Sequence, residues 1–215
     1  MRSTIFLTGS TGYIGQRLAA ALVARRHTVR ALARPGSEGR VPPGCEVVTG
    51  DALHGVTFTG QIAPADTFVH LIGTPNPSPS KAEEFLRVDL ASVQAAVPAA
   101  VVAGVRHFVY LSVAHPAPVM RAYVAARMRA EEIIRASGLG ATILRPWYVL
   151  GPGHRWPYLL LPLYWTASLL PPTRPGARRL GLVTIEQMIR ALVHAVETPV
   201  DGVRVMEVGE IRGIG

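Results

Sequence analysis

Tyr123 and Arg127 are the side chains of this sequence whose types and spacing best suit proton transfer. They lie in 119-VMRAYVAARMRAEE-132, and side chains four positions apart on a helix are neighbours. A unit charge about 4 Å from another is worth roughly 4 kcal/mol at an effective dielectric of about 20. The guanidinium of Arg127 is therefore strong enough to favour the tyrosinate and to make Tyr123 a usable acid or base.

Each member of this pair also has an ordinary structural interpretation. A helical tyrosine commonly packs its ring against a sheet and gives its hydroxyl to a backbone carbonyl. Arg127 has Glu131 four positions further on, which is the spacing of a solvated ion pair. The pair alone leaves open a proton-transfer device, a cofactor clamp and ordinary helix packing, so the surrounding elements must decide.

A glycine-rich turn, 8-TGSTGYIG-15, follows the first predicted strand and opens the first predicted helix. The spacing of Gly9, Gly12 and Gly15 allows a tight turn, a close approach of the backbone to a pyrophosphate, and close packing of helix on strand. The helix that follows presents unpaired N–H groups to the phosphates. Because of this context, the turn predicts a dinucleotide site.

Strand and helix patterns alternate along the chain, which predicts an α/β fold with a doubly wound, Rossmann-like parallel sheet. The predicted strands are 4–8, 28–33, 46–49, 67–72, 107–111, 142–144 and 203–208. The predicted helices are about 12–26, 81–103, 118–137 and 185–197, the last capped by Thr184. Between them, the glycines and threonines of 51–65 predict only a short or distorted helix.

Arg34 stands at the end of the second predicted strand, where nucleotide specificity is set. NAD-specific sites carry an acidic residue there for the ribose 2′-hydroxyl, whereas an arginine favours the 2′-phosphate. No Asp or Glu occurs between Tyr13 and Ser37, and Arg30 is nearby. The sequence therefore predicts NADP(H) as the preferred cofactor, with NAD as the alternative.

The composition indicates a globular protein of a reducing compartment. Hydrophobic residues make up 49% of the 215 positions, and the single cysteine, Cys45, excludes an internal disulfide and a cysteine-based metal site. Basic residues outnumber acidic ones by 22 to 14, but Lys81 is the only lysine and the arginines are scattered. This pattern argues against nucleic-acid binding. No signal peptide is recognised and no metal is expected, so we predict a cytoplasmic protein that binds a small-molecule substrate.

The segment 156–172 is apolar and carries no charge. Four prolines interrupt it, and it is short for a membrane span. We expect a buried lid or an oligomer surface, while association with a membrane surface and the oligomeric state stay open. Just before it, His154, Arg155 and Trp156 are candidates to face a substrate.

Together these motifs resemble the atypical branch of the short-chain dehydrogenase/reductase superfamily. The resemblance covers nearly the whole chain and rests on 8-TGSTGYIG-15, 50-GD-51, 69-VHLIG-73, 105-VRHFVYLS-112, Tyr123 and 138-GLGATILRPWYVLGPG-153. It implies one domain over residues 1–215, in which 1–145 bind the cofactor and 146–215 form a substrate-side extension.

The resemblance also implies a set of cofactor contacts. Asp51 would contact the adenine, Gly73 would lie beside the phosphates and ribose, and Arg145 and Pro146 would lie near the nicotinamide. The implied cofactor-binding residues are Gly9, Ser10, Thr11, Gly12, Tyr13, Ile14, Gly15, Arg34, Asp51, Ala52, Leu71, Gly73, Arg127 and Pro146.

The family's catalytic unit is a strand-end serine with a tyrosine and a lysine in a YxxxK pair. The residues that match it here are Ser112, Tyr123 and Arg127, with arginine in place of the lysine. Arginine supplies the charge but cannot release a proton. We therefore expect weak or narrow catalysis, or none. Asp89 stands where extended relatives often have asparagine, and it receives no role.

Three functions remain open from the sequence. The first is an NADP(H)-dependent oxidoreductase that reduces a small apolar carbonyl or a quinone. The second is a non-catalytic NADP(H)-binding redox sensor or accessory subunit, which the lysine exchange favours. The third is a sugar-nucleotide epimerase or dehydratase, for which the short C-terminal region leaves little material to hold the substrate.

Overall fold

The computed structural model describes residues 2–152 and 180–214, which contain a seven-stranded sheet with parallel pairing throughout. Its strands are β1 (Thr4–Thr8), β2 (Thr28–Ala33), β3 (Glu46–Thr49), β4 (Thr67–His70), β5 (His107–Leu111), β6 (Gly140–Arg145) and β9 (Val203–Glu207). They are ordered β3-β2-β1-β4-β5-β6-β9 across the sheet. A separate parallel pair joins β7 (Tyr148–Leu150) to β8 (Leu182–Thr184). His154, Arg155, Trp156 and the apolar segment 156–172 lie outside the described residues.

Five helices accompany these strands in the described ranges. They are α1 (Tyr13–Ala24), α2, α3 (Arg121–Ala136), α4 (Ile185–Glu197) and α5 (Val208–Gly213). The helix α2 has three consecutive parts, which are Ala82–Glu84, the π-helical segment Phe85–Leu90, and Ala91–Val102.

The helices cover both faces of the sheet, and each face has its own buried core. Successive residues of a strand point to opposite faces. In β1, Phe6 enters the core that contains residues of α2 and α3, whereas Ile5 and Leu7 enter the core that contains residues of α1 and α4. Buried strands of this kind confirm the predicted doubly wound parallel sheet.

Most predicted element positions are close to those observed, and the differences have local causes. The helix α3 begins at Arg121 rather than near 118, because Met120 at its start has a φ of +58°, outside the helical region. Strand β4 ends at His70 rather than at 72. The stretch 51–65 forms two short 3₁₀ turns, Gly55–Thr57 and Thr59–Gln61, in agreement with the expectation of a distorted segment.

Three features were missed from the sequence. The first is α5, which directly follows the last strand, and the second is the pairing of β7 with β8. The third is the π-helical part of α2, which carries Asp89. A π-helical turn makes i→i+5 hydrogen bonds and often marks a functional site, but its hydrophobic pattern does not differ enough from that of an α-helix to be recognised.

The range Pro79–Val102 is long and apolar enough to cross a membrane by length and composition alone. Half of its most apolar 18-residue stretch is buried inside the protein, however, where it packs against the strands of the sheet. We therefore interpret it as a helix of the core.

Thr184 provides a test of how α4 is held. Its hydroxyl accepts a hydrogen bond from the Gln187 N–H at 3.2 Å, and its own N–H donates to the Gln187 side chain at 2.9 Å. Thr184→Ala removes one arm of this capping box and should lower the free energy of unfolding by about 1 kcal/mol in urea denaturation. Val56→Ala, at a residue that is 94% exposed, is the control. An unchanged free energy for Thr184→Ala would show that the cap contributes nothing.

Candidate functional site

A cavity of about 400 Å³ lies beyond the carboxyl ends of β1 and β2, between the loops that leave them. Strand β1 lies between β2 and β4, so the strand order reverses direction at this point. Open parallel sheets bind ligands at such a switch point, because the crossover loops diverge and leave a crevice. The described residues lining the cavity include Gly9, Thr11, Gly12, Leu32, Arg34, Gly50, Asp51, Ala52, Leu53, Leu71, Ile72, Gly73 and Pro75.

The glycine turn forms one wall of the cavity, and its shape requires glycine. Gly9 has a φ of +77°, and a Cβ there would lie 2.9 Å from the carbonyl of Leu71. A Cβ on Gly15 would lie 2.0 Å from the carbonyl oxygen of Gly9. The turn thus brings α1 against β1 and leaves the N-terminus of α1 at the cavity, where its N–H groups suit a phosphate.

Ser10 sits in this turn with its side chain directed into the protein. It is fully buried, and its hydroxyl donates to the carbonyl oxygen of Leu32 at 2.8 Å. The side chain therefore joins the turn to β2. Ser10 was expected to bind the cofactor. Because its hydroxyl group is engaged by Leu32, only its backbone can contact a phosphate in this conformation.

The far end of the cavity carries Arg34 and Asp51. Asp51 accepts a hydrogen bond from the Leu53 N–H at 3.0 Å and lies 3.0 Å from the His54 ring nitrogen. The bond from Leu53 is the main cause of a lowered pKa for this carboxyl group. Arg30 is turned away and lies 3.5 Å from Glu46. Of these two arginines, only Arg34 lines the cavity.

Tyr123 and Arg127 are adjacent on α3, as their spacing predicts. The ring of Tyr123 packs on Phe85 with centroids 5.0 Å apart, and the Arg127 guanidinium carbon lies 5.2 Å from the Tyr123 ring centroid. Arg127 is 95% buried, and its guanidinium donates to the carbonyl oxygen of Leu111 at 2.8 Å and to the Tyr110 hydroxyl at 3.1 Å. Arg127 is thus a buried residue directed at the end of β5, not a surface side chain.

The acidic partner of Arg127 is Asp89, and the expected alternative of a pair with Glu131 is wrong. Arg127 Nη2 lies 2.6 Å from Asp89 Oδ1, and Asp89 is completely buried. The other carboxylate oxygen accepts hydrogen bonds from the Thr74 N–H at 3.0 Å and its hydroxyl at 2.6 Å. A carboxylate is almost never fully buried unless it is paired. That rule was the available signal for Asp89, which lies between the apolar residues Val88 and Leu90.

Gly73 separates this ion pair from the cavity. A Cβ on Gly73 would lie 2.3 Å from Arg127 Nη2 and 3.3 Å from Asp89 Oδ1, so any side chain would displace the guanidinium. The ion pair therefore lies directly beneath a residue that lines the cavity. Among the described residues, the Nε–H of Arg127 is buried without a hydrogen-bond partner.

Tyr110 is a second tyrosine beside Arg127, and unlike Tyr123 it is fully buried. Burial raises its pKa to about 12, against the opposing effect of Arg127. It therefore remains a neutral phenol near pH 7 and does not compete with Tyr123 as an acid or base. Its place in a strand gave no signal of a role, because a tyrosine there usually packs in the core.

Ser112 belongs to a second network of charges. Its buried hydroxyl donates to Glu131 Oε1 at 2.6 Å. Arg145 donates to the same oxygen at 3.0 Å and to Glu207 at 2.9 Å. Burial alone would raise the pKa of Glu131, but the hydrogen bonds from Arg145 and Ser112 lower it below its usual value. Glu131 is therefore an ionised acceptor and Ser112 the donor.

The remaining predicted contacts fall around these two networks. Arg145, expected near the nicotinamide, is engaged by Glu131 and Glu207, and the carbonyl oxygen of Pro146 accepts from the Ala114 N–H at 2.9 Å. Of the contacts expected in the turn, Thr11 lines the cavity. The Tyr13 ring lies 4.2 Å from the Arg17 guanidinium carbon. Among the described residues, no hydrogen bond joins Ser112 to Tyr123.

The arrangement fits a dinucleotide. The turn exposes a helix N-terminus, Gly73 leaves the cavity floor without a side chain, and the Arg127 Nε–H lacks an acceptor within the described part of the chain. The residues suited to hold the phosphates are those of the turn, and Arg34 is suited to the adenosine end.

Comparison with known families and proteins agrees with this geometry. Residues 9–154 match the sequence model of the family described as NAD(P)H-binding. Ceramide reductase of Caulobacter vibrioides is 30% identical over 226 aligned positions, which cover 100% of this chain and 67% of that protein. A ketoreductase of Stigmatella aurantiaca, named for 4-hydroxy-2-methyl-3-oxo-4-farnesyl-3,4-dihydroquinoline-1-oxide, is 28% identical over 68% of this chain and 50% of its own length.

Solved structures share the fold at lower identity. The enzyme WbmH of Bordetella bronchiseptica, solved with NAD⁺, has a TM-score of 0.71 at 21% identity and covers 98% of this chain and 79% of its own. The oxidoreductase YlbE of Lactococcus lactis has a TM-score of 0.71 at 18% identity, with 97% and 94% covered. From its turn, its sheet and these matches, the chain belongs to the NAD(P)H-binding family, within the short-chain dehydrogenase/reductase superfamily.

Proposed function

We propose that this protein is an NADP(H)-dependent oxidoreductase that reduces a small apolar carbonyl compound or a quinone. The observation that carries the proposal is the contact of Arg127 with both the Tyr123 ring and Gly73, since it joins a tyrosine–cation pair to the nucleotide cavity. When bound, the nicotinamide supplies the hydride or accepts it. The chain itself must then supply the proton and hold the reacting oxygen.

In this proposal Tyr123 is the acid that protonates the substrate oxygen during reduction, and the base in the reverse direction. Arg127 supplies a fixed positive charge beside it, which favours the phenolate left after proton transfer. Because the guanidinium stays protonated, the proton must return to Tyr123 from solvent rather than from residue 127. Ser112 positions the reacting oxygen.

The composition of the chain and two relatives support the proposed class of substrate. We assign the substrate side to the region from residue 146 onward, within a single domain over residues 1–215. Its apolar composition between 156 and 172 suits an apolar substrate. A ceramide reductase and a quinoline-oxide ketoreductase are both named for the reduction of an apolar molecule, which favours the same class here.

A second candidate is a non-catalytic NADP(H)-binding protein that acts as a redox sensor or an accessory subunit. Two observations favour it. The Arg127 guanidinium is held by Asp89, Tyr110 and Leu111, and the Ser112 hydrogen is donated to Glu131. Both groups are thus engaged within the protein.

The preference for NADP(H) can be measured by following tryptophan fluorescence while NADPH or NADH is added. NADPH should bind more tightly, and Arg34→Ala should weaken NADPH at least about tenfold, because a hydrogen bond to a charged group contributes about 1.5–3 kcal/mol. NADH binding should change little. Arg30→Ala is the matched control, since Arg30 pairs with Glu46. Equal binding of both nucleotides by the parent would contradict the role of Arg34.

The role of Tyr123 can be measured by turnover on a panel of quinones, aldehydes and ketones with NADPH. Tyr123→Phe should lower kcat by a factor of about 10²–10⁴, the usual contribution of a general acid, because it removes only the hydroxyl group. NADPH affinity and melting temperature should stay near those of the parent. A variant that turns over as fast as the parent would show that Tyr123 is not the acid, and no turnover by either would favour the binding protein.

A further inference from the structure

Asp89 makes two kinds of contact through its two carboxylate oxygens. Oδ2 accepts from the N–H and the hydroxyl of Thr74, the residue after Gly73. Oδ1 lies 2.6 Å from Arg127 Nη2. The carboxylate thus joins the segment that follows β4 to the guanidinium of α3, and these contacts surround Gly73 on the cavity floor.

The geometry of Arg127 depends on this carboxylate. A guanidinium has five N–H donors. The Nη1 group donates to Tyr110 and Leu111, and Nη2 contacts Asp89. These partners fix the plane and rotation of the group. Within the described residues, the Arg127 Nε–H and Asp89 Oδ1 are both buried without a hydrogen-bond partner, so Nη2 and Oδ1 meet as an ion pair.

An unpaired N–H in a side chain this deeply buried is costly, and most such groups find a partner in the protein or in a ligand. The neighbouring cavity can supply an acceptor oxygen, since Gly73 lines it and a Cβ on Gly73 would lie 2.3 Å from Arg127 Nη2. A nucleotide offers several such oxygens.

We propose that Asp89 is a positioning residue for the nucleotide site. It orients Arg127 so that the guanidinium meets an oxygen of the bound nucleotide, and it fixes the Gly73–Thr74 segment at the same time. Asp89 therefore acts on the nucleotide through Arg127. The inference rests on the proposed function only in requiring that a nicotinamide nucleotide occupies the cavity.

The competing explanation is that the ion pair only holds α2 against α3. Both explanations predict that breaking the pair lowers stability, since a buried charge left without its partner is strongly destabilising. The two explanations differ in the nucleotide affinity that they predict. The difference is clearest when Asp89 and Arg127 are replaced together.

The test compares Asp89→Asn, Arg127→Met and the double variant, with the dissociation constants of NADPH and NADH and the melting temperature measured for each. For the nucleotide that the parent prefers, each single variant should bind at least about tenfold more weakly, the loss of one hydrogen bond to a charged group. The double variant should bind about as weakly as Arg127→Met alone, because Asp89 has no effect once Arg127 is absent.

Stability provides an internal check. Each single variant should melt about 6–20 °C lower than the parent, and the double variant should recover part of this loss because it buries neither charge alone. Asp66→Asn is the matched control. Asp66 accepts a hydrogen bond from the Thr4 N–H at 3.3 Å, at the amino end of the sheet, so its change should leave nucleotide affinity within about twofold of the parent.

Thr74→Val keeps both charges and removes one hydrogen bond to Asp89, so it tests the segment if a single charge variant fails to fold. It should weaken nucleotide binding about three- to tenfold, less than the charge variants do, because the ion pair with Arg127 remains. Affinity within twofold of the parent for Thr74→Val and for every folded charge variant would overturn the proposal. The proposal would also be overturned if the loss of nucleotide affinity in the double variant equalled the product of the losses in the two single variants. If the coupling is seen but no substrate is turned over, the proposed enzyme activity fails while this inference stands.

Discussion

The site depends first on the absence of a side chain at Gly15. The backbone of α1 passes so close to the carbonyl of Gly9 that a Cβ would lie 2.0 Å from that oxygen. This contact sets the angle at which α1 leaves the sheet and keeps its N-terminus at the point where the strand order reverses. The other residues that line the cavity, such as Arg34 and Gly73, are positioned around that turn.

The second organising principle is the internal neutralisation of charge. Two acidic side chains that α2 and α3 carry into the protein, Asp89 and Glu131, are each paired with an arginine, and each also accepts a hydrogen bond from a hydroxyl group. Desolvation makes unpaired charges here unfavourable, whereas paired charges that also accept hydrogen bonds are tolerated. The tyrosine–arginine pair is therefore not an isolated cation beside a phenol. Its field includes the carboxylate on its other side.

Sequence reasoning was most successful where the cause of structure is local. The glycine spacing of 9–15, the alternation of strands and helices, and the Thr184 cap each depend on neighbours in the chain, and the structure has them where they were expected. Helical spacing also placed Tyr123 beside Arg127.

Reasoning from spacing failed where the partner is distant in sequence. Glu131 is four residues from Arg127, yet Arg127 pairs with Asp89, 38 positions away, and Glu131 pairs with Arg145. Position on a helix surface cannot decide which way a long side chain turns when the sheet offers buried acceptors such as Tyr110 and Leu111. The two networks are properties of the packed fold.

Because of the π-helical segment Phe85–Leu90, the geometry of the site depends on the number of residues in one turn of α2. A π-turn is in effect an α-helix with one additional residue, and each residue of an α-helix advances the side-chain direction by about 100°. The direction of Asp89 relative to the rest of α2 is therefore set by the number of residues in that turn as well as by their types. Loss of a single residue there would let the helix close into regular α-geometry and rotate the carboxylate out of phase with Arg127, with every side chain of the pair still encoded.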